Sequence, residues 1–507
     1  MGLFKIIKYQ LYLLQLENYE LGRFWKLLFK KGFWPKGEQR KQLVWTMKAR
    51  AVFLLAVVFH FGLSIILYWV LSNGLSVFSI KYLVLSILIF VLLLTAYCLL
   101  LTAALCLLWP MDWLVKQIII ARAKSKIKSL DKLKIIGVAG SYGKTTMKEI
   151  LKQVLGIRYK VLATPESVNT PVGIARWILK NFDDRIEVAI VEMGEHYVGD
   201  IEDLCKITPP DIAVVTGINE SHLERMRTMG TIVQTIFEIV SGSKAGATVL
   251  LNADDEQVMG HYKEFIWPDH KVESYQATGS RQQVFNVVKL CWEAEFEGIG
   301  KVNINLLGQY VLGDVDAAVK IAKQLGMSGE EIKRGIEKIQ PVEHRLQPIP
   351  SSGNVLVIDD SYNGNPQGAA EAIKVLSRFT NRRKVYITPG LVEIGKASAE
   401  IHRQIGKELA GAVDVVVLIK NSVTSYIAEA LASTLQTLSP GDGESRREVE
   451  NQNQPLPNPL QFLERGTNRN LQLYWFNTAQ EAHRAIKHIV QPNDVVMFQN
   501  DWGDQYI

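Results

Sequence analysis

Gly137-Val138-Ala139-Gly140-Ser141-Tyr142-Gly143-Lys144-Thr145-Thr146 is the stretch that decides how the rest of this 507-residue chain is read. It follows a β-branched run, Lys134–Val138, and opens directly into an amphipathic stretch, Thr146–Leu155, so it predicts strand, loop and helix in that order. Glycines let backbone N–H groups wrap around phosphates, the helix N-terminus adds a favourable dipole, and Lys144 neutralises charge on the β/γ-phosphates. Thr145 offers the hydroxyl that typically completes a Mg²⁺ shell. Gly140, Ser141, Gly143, Lys144, Thr145 and Thr146 are therefore the expected nucleotide contacts. The strict G-x-x-x-x-G-K-[ST] pattern is not met, because Val138 stands where its first glycine belongs; the spacing present is G-x-x-G-x-x-G-K-T-T.

Outward from this loop, short β-branched runs alternate with helical patterns. Val188–Glu192, Ile212–Thr216 and Thr248–Asn252 read as further buried parallel strands. A second round follows Pro341, with Val355–Asp359, Lys384–Thr388, Asp414–Ile419 and Val495–Phe498 as strands. This is α/β grammar in two domains, 131–341 and 342–507, with a polar Pro- and Gly-containing insertion at 438–459. The four cysteines are too scattered for a disulfide framework or a metal knuckle.

The front of the chain has a different texture. Residues 1–134 carry 19 Lys and Arg against 5 Asp and Glu, whereas the remainder carries 38 against 46. A basic first quarter on an acidic body argues for a membrane-surface segment tethering a cytosolic unit, and against a nucleic-acid partner. Ala51–Leu71 and Tyr82–Trp109 contain no charged side chain, and at about 1.5 Å per residue either is long enough to cross a bilayer core of about 30 Å. The expectation is a two-helix transmembrane hairpin over 51–110, with a pair of buried core helices as the alternative. Lys41, Lys48 and Arg50 before it, and Lys116, Arg122, Lys124, Lys126 and Lys128 after it, place both ends in the cytoplasm. In residues 1–50, Phe24, Trp25, Leu27, Leu28 and Phe29 mixed with Arg23, Lys26, Lys30 and Lys31 suggest an amphipathic helix in the plane of membrane lipids, or a solvated basic arm.

The loop variant resembles the ATP loop of the Mur ligase superfamily, the ATP-dependent amide-bond formers of peptidoglycan synthesis. Further stretches resemble the branch that adds D-alanyl-D-alanine to UDP-MurNAc-tripeptide. Thr164-Pro165-Glu166-Ser167-Val168-Asn169-Thr170-Pro171 is similar to its substrate loop, and Glu192-Met193-Gly194 with Gly199-Asp200-Ile201 to its E-x-G…G-E-I segment. Ile218-Asn219-Glu220-Ser221-His222-Leu223-Glu224 is similar to its His-Leu segment. Glu343-His344-Arg345-Leu346 and Asp359-Asp360-Ser361-Tyr362-Asn363-Gly364-Asn365-Pro366 resemble the opening of its last domain. The resemblance covers roughly residues 132–507 and implies a P-loop central domain followed by a Rossmann-like C-terminal domain. It implies that ATP activates a carboxylate for attack by an amine, with Lys144, Glu192, His222 and Arg345 as catalytic residues. Thr145, Glu192 and His222 would hold Mg²⁺, Arg345 and Asp360 would serve the nucleotide, and Ser167, Asn169, Tyr362 and Asn365 the substrate.

The departures from the pattern are specific. Ile236 stands where the family carries a lysine, often carbamylated to bridge Mg²⁺, and Gly308-Gln309-Tyr310-Val311-Leu312-Gly313-Asp314 replaces its adenine-contact motif G-x-H-N-x-x-N. Gln499-Asn500-Asp501-Trp502 replaces a late K-G-S-R, and the apolar front replaces a domain for the UDP-sugar. Three functions therefore stay open: the D-Ala-D-Ala-adding ligase acting on a UDP-MurNAc-peptide, a membrane-anchored ligase with a lipid-linked or polyglutamate acceptor, and a non-catalytic nucleotide-binding scaffold of the cell-wall machinery.

Overall fold

The computed structural model describes residues 3–16, 19–32, 43–74, 80–166, 168–195, 197–221, 223–362, 364–392, 394–437, 461–464 and 470–500. Residues 1–118 and 119–501 group into two compact units, each with its own core.

In the first unit four helices follow one another: Leu3–Leu16, Leu21–Lys31, Met47–Gly74 and the start of Ile80–Lys128. The amphipathic helix expected near Phe24 is Leu21–Lys31. Its Phe24, Leu27 and Leu28, at helical spacing, are buried in a cluster with Leu11, Leu13 and Leu14 of the preceding helix, while Phe29 stays exposed. Asp112 pairs with Lys48 at 3.0 Å and Lys116 at 2.7 Å, so the start of one long helix lies beside the later part of the next and the two run antiparallel. Among the described residues one stretch, Leu99–Lys128, is long and apolar enough to cross a membrane. Of the expected pair of crossings, one is supported among the described residues. Much of what the hairpin reading rests on, the side chains of residues 66–74 and 80–98, lies outside the described residues.

The second unit is built on two sheets. Strands β1 (Lys134–Ala139), β2 (Val161–Ala163), β3 (Val188–Glu192), β4 (Ile212–Val215), β5 (Thr248–Asn252) and β6 (Lys271–Tyr275) form a parallel sheet in the order β2-β3-β1-β4-β5-β6. The Val, Ile, Leu and Ala runs of β1, β3, β4 and β5 are buried on both faces, as the inner strands of a parallel sheet require, while the edge strand β6 is largely exposed. Helices Pro171–Asn181, Asp200–Cys205 and Met229–Ser241 cover one face; Lys144–Leu155, Val311–Gln324 and Gly329–Glu337 cover the other. The latter core also takes Trp292, Ala294, Phe296, Val302 and Ile304 from a small antiparallel sheet of β7 (Arg281–Asn286), β8 (Cys291–Phe296) and β9 (Gly300–Ile304).

The remaining strands are β10 (Gln347–Pro350), β11 (Leu356–Asp360), β12 (Lys384–Thr388), β13 (Val415–Ile419), β14 (Gln461–Glu464), β15 (Asn470–Phe476) and β16 (Val495–Gln499). They form one sheet in the order β10-β11-β16-β12-β13-β15-β14, parallel except at its two edges. Between the sheets the chain turns through His344 and Leu346, both at positive φ (57° and 44°), which aims the intervening Arg345. The expected insertion at 438–459 lies outside the described residues.

Candidate functional site

In the parallel sheet β1 lies between β3 and β4, the crevice where open α/β sheets bind ligands outside their strand ends. The loop from Gly140 to Gly143 occupies that crevice. Gly140 has φ of +148°, and a Cβ there would lie 2.2 Å from Thr216 Oγ1, so the backbone passes where no side chain fits. Gly143, at φ of +81°, is the residue before helix Lys144–Leu155. The N–H groups of that helix's first turn have no intrahelical acceptor, which suits them to an anion. Ser141 ties the loop down: its N–H donates to Gly217 O at 2.7 Å, while Tyr142 donates its hydroxyl to Asp255 at 2.6 Å.

Four charged groups and one hydroxyl meet beside the loop. Thr145 Oγ1 lies 3.2 Å from a Glu192 oxygen at the end of β3. Lys148, one helical turn after Lys144, is fully buried with Nζ 3.0 Å from Glu192 Oε2, an ion pair without hydrogen-bond alignment. Lys144 donates to Gly140 O and pairs with Glu195 at 3.1 Å; the Glu195 side chain is 1% exposed. Thr164 accepts from the Glu192 N–H at 3.0 Å, so the substrate-like loop fixes the acid's backbone. Asn169 of the same loop packs on Gly194, where a Cβ would meet its amide at 2.5 Å. Hydroxyl and carboxylate oxygens at this spacing are hard donors of the kind Mg²⁺ takes. No group of three or more His, Cys, Asp or Glu converges among the described residues.

The C-terminal lobe holds its own cluster of polar groups. Arg345 donates to Tyr362 O and stacks 4.9 Å over the Tyr362 ring. Asp360, at the end of β11, accepts from the Leu346 N–H at 3.2 Å; burial, opposed by Arg345, raises its pKa to about 7. His344 bonds Asp359 at 2.7 Å, and this pairing holds the imidazole above its ordinary pKa. Asn365 caps helix Pro366–Ser377, accepting from Gly368 N at 3.0 Å, and lies 3.3 Å from the Asn219 amide, which also donates to Gln367. Tyr310 packs against the C-terminal core that holds Leu346, and burial beside Asp360 raises its phenol above the ordinary pKa.

The structure thus brings Gly140, Ser141, Gly143, Lys144, Thr145, Thr146, Glu192 and Asn169 together, with Arg345, Asp360, Tyr362 and Asn365 on the facing lobe. Ser167 and His222 lie outside the described residues. Ile236 is fully buried in the apolar core with Val191 and Met193 and presents no donor. Gln499 and Asn500, in place of the family's basic segment, knit the lobe instead: Asn500 accepts from Gly364 N at 2.9 Å and Gln499 from Thr388 at 3.1 Å. Sequence reasoning missed Lys148, Glu195, Asn219 and Tyr310. Two signals were present, Lys148 four residues after Lys144 on one helix and Glu195 three residues after Glu192.

Comparison with known proteins agrees with this architecture. The sequence pattern of the Mur ligase middle domain matches residues 138–322, and that of the Mur ligase glutamate ligase domain matches residues 344–499. The UDP-N-acetylmuramoyl-tripeptide–D-alanyl-D-alanine ligase of Bacillus subtilis is 26% identical over 61% of this chain and 66% of its own length. The enzyme of the same name from Escherichia coli is 26% identical over 54% of this chain and 61% of its own. This chain therefore spans less than two-thirds of either relative. Among solved structures, MurF from Acinetobacter baumannii superposes with a TM-score of 0.62 at 21% identity, covering 77% of this chain and 78% of that one. MurF ligase from Thermotoga maritima in complex with ADP gives 0.61 at 23%, covering 76% and 80%. These likenesses establish the fold. With the two domain patterns filling about two-thirds of the sequence in the order the lobes are observed, the chain belongs to the Mur ligase family.

Proposed function

We propose that this protein is an ATP- and Mg²⁺-dependent, ADP-forming amide ligase of peptidoglycan precursor synthesis, with addition of D-Ala-D-Ala to UDP-MurNAc-tripeptide as the nearest reaction. The observation that carries this reading is the convergence of Lys144, Thr145 and Glu192 beside the phosphate loop, with Asn219 of the same lobe donating to Asn365 and Gln367 of the C-terminal lobe. A carboxylate resists attack by an amine until one oxygen becomes a leaving group; ATP with Mg²⁺ supplies that by transferring its terminal phosphoryl group. Lys144 and the first turn of its helix hold the phosphates, and Thr145 and Glu192, with His222 by resemblance, hold the cation beside them. Arg345 neutralises charge that develops on the transferred group, and Asp360 sets the position of the segment carrying it. Ser167, Asn169, Tyr362 and Asn365 orient the acceptor and the incoming amine.

Helix Leu99–Lys128, with Lys116, Arg122, Lys124, Lys126 and Lys128 following its apolar part, supports attachment to the cytoplasmic face of the cell membrane. That attachment also favours a second reading, in which the acceptor is a lipid-linked precursor. Purified full-length protein in detergent, given ATP, Mg²⁺, UDP-MurNAc-tripeptide and D-Ala-D-Ala, tests the proposal. ADP release that requires both substrates supports it. Nucleotide binding without turnover on either the UDP-linked or the lipid-linked acceptor refutes it and leaves a scaffold.

A further inference from the structure

Glu195 has no place in the roles assigned above, yet it is 2% exposed and paired with Lys144, the lysine assigned to the nucleotide. An ionised carboxylate is tolerated at that depth only while a counter-charge accompanies it. A triphosphate in the loop draws the Lys144 ammonium toward itself. Glu195 is then left buried beside an anion, the least favourable neighbour it could have. Glu192, three residues earlier at the end of β3, directs its own carboxylate at Thr145, 3.2 Å away. Glu192 keeps its lysine, because Lys148 is fully buried behind it, with its ammonium 3.0 Å away. Of the two acids, Glu195 is therefore the one whose compensation a bound nucleotide removes.

We infer that Glu195 exchanges partners during nucleotide binding, releasing Lys144 to the phosphates and becoming a ligand of a divalent cation shared with Glu192 and Thr145. This rests on the nucleotide-binding reading above and adds to it a metal ligand from the Glu192-Met193-Gly194-Glu195 segment. The consequence is reciprocal coupling between cation and nucleotide: each removes the obstacle that Glu195 presents to the other. Without the cation, Glu195 holds Lys144 away from the phosphates. With it, both charges are satisfied.

The test measures binding on the full-length protein in detergent, without turnover. A fluorescent ADP analogue is titrated with and without Mn²⁺, and bound Mn²⁺ is counted by loss of the free-ion electron paramagnetic resonance signal. For Glu195→Gln the expected result is tighter ADP binding without metal, by roughly threefold or more, and Mn²⁺ affinity in the ADP complex weakened at least tenfold. Glu195→Asp, which keeps a carboxylate, should weaken Mn²⁺ less than Glu195→Gln, and it is read the same way if the glutamine variant fails to fold. Variants that match the wild type in both titrations overturn the role of Glu195 alone. A wild-type protein that binds no ADP under either condition overturns the nucleotide reading itself, and this inference with it.

Discussion

The buried pair Lys148–Glu192 offers a direct check on the electrostatics of the site. Replacing Lys148 with Met keeps the length and apolar stem of the side chain and removes its charge. At 3.0 Å and an effective dielectric near 20, the attraction amounts to roughly 5 kcal/mol before desolvation is counted. The Glu192 side chain is 16% exposed and retains the Thr145 hydroxyl, so part of its charge stays solvated after the substitution. The expected loss is therefore about 3 kcal/mol, at the lower end for breaking a buried pair. A shift of that size lowers the melting temperature of the nucleotide-binding lobe by roughly 6–12 °C. Adding Glu192→Gln removes the stranded charge, and the double variant should recover to within about 1 kcal/mol of wild type. Thermal melts of wild type, both single variants and the double variant, all in EDTA, form the cycle. A Lys148→Met protein that melts with the wild type, or single effects that simply add in the double, would show that the two groups do not stabilise each other.

Three further outcomes follow from the same geometry. Lys144→Ala should abolish ATP turnover and weaken ADP binding by at least tenfold; retained turnover in a coupled ADP-release assay would remove the loop from the mechanism. Gly140→Ala forces a Cβ to within 2.2 Å of Thr216 Oγ1, and a destabilisation of about 2 kcal/mol or more should appear in thermal melts together with lost nucleotide binding. Asp360, whose pKa is raised to about 7, is most compatible with the fold when protonated. Its contribution is complete below about pH 4 and lost as pH rises through 7, at most about 4 kcal/mol. Asp360→Asn should flatten that part of the melting-temperature profile between about pH 4 and 7, and an unchanged slope would contradict the assignment.

Much of the fold was legible in the sequence because a doubly covered parallel strand leaves an unmistakable trace. Val188–Glu192, Thr248–Asn252 and Lys384–Thr388 are short β-branched or apolar runs between helical patterns, and the structure has strands at those residues. The strands that escaped notice carry a different signature. Arg281–Asn286 is polar and largely solvent-facing, Val161–Ala163 has three residues, and Gln347–Pro350 is an edge strand with two prolines. Pattern alone cannot separate such segments from loops. In the site, the phosphate loop was readable because its chemistry is local in sequence. The Lys144–Glu195 pair and the Asn219–Gln367 contact were not, since they join positions 51 and 148 residues apart. In the apolar front, uncharged length predicted two crossings; one is supported among the described residues, and the side chains of residues 66–74 and 80–98 lie outside them.

The claim on which the function rests is that the terminal phosphoryl group of ATP is transferred to an acceptor carboxylate held over the turn at Lys144. Supplying the acceptor with an ¹⁸O-labelled carboxylate and examining the released phosphate by ³¹P nuclear magnetic resonance tests this without reference to any mutant. One ¹⁸O atom per phosphate, formed in step with the amide product, is the expected result. Unlabelled phosphate, or phosphate released when no amine is present and no amide forms, would contradict it.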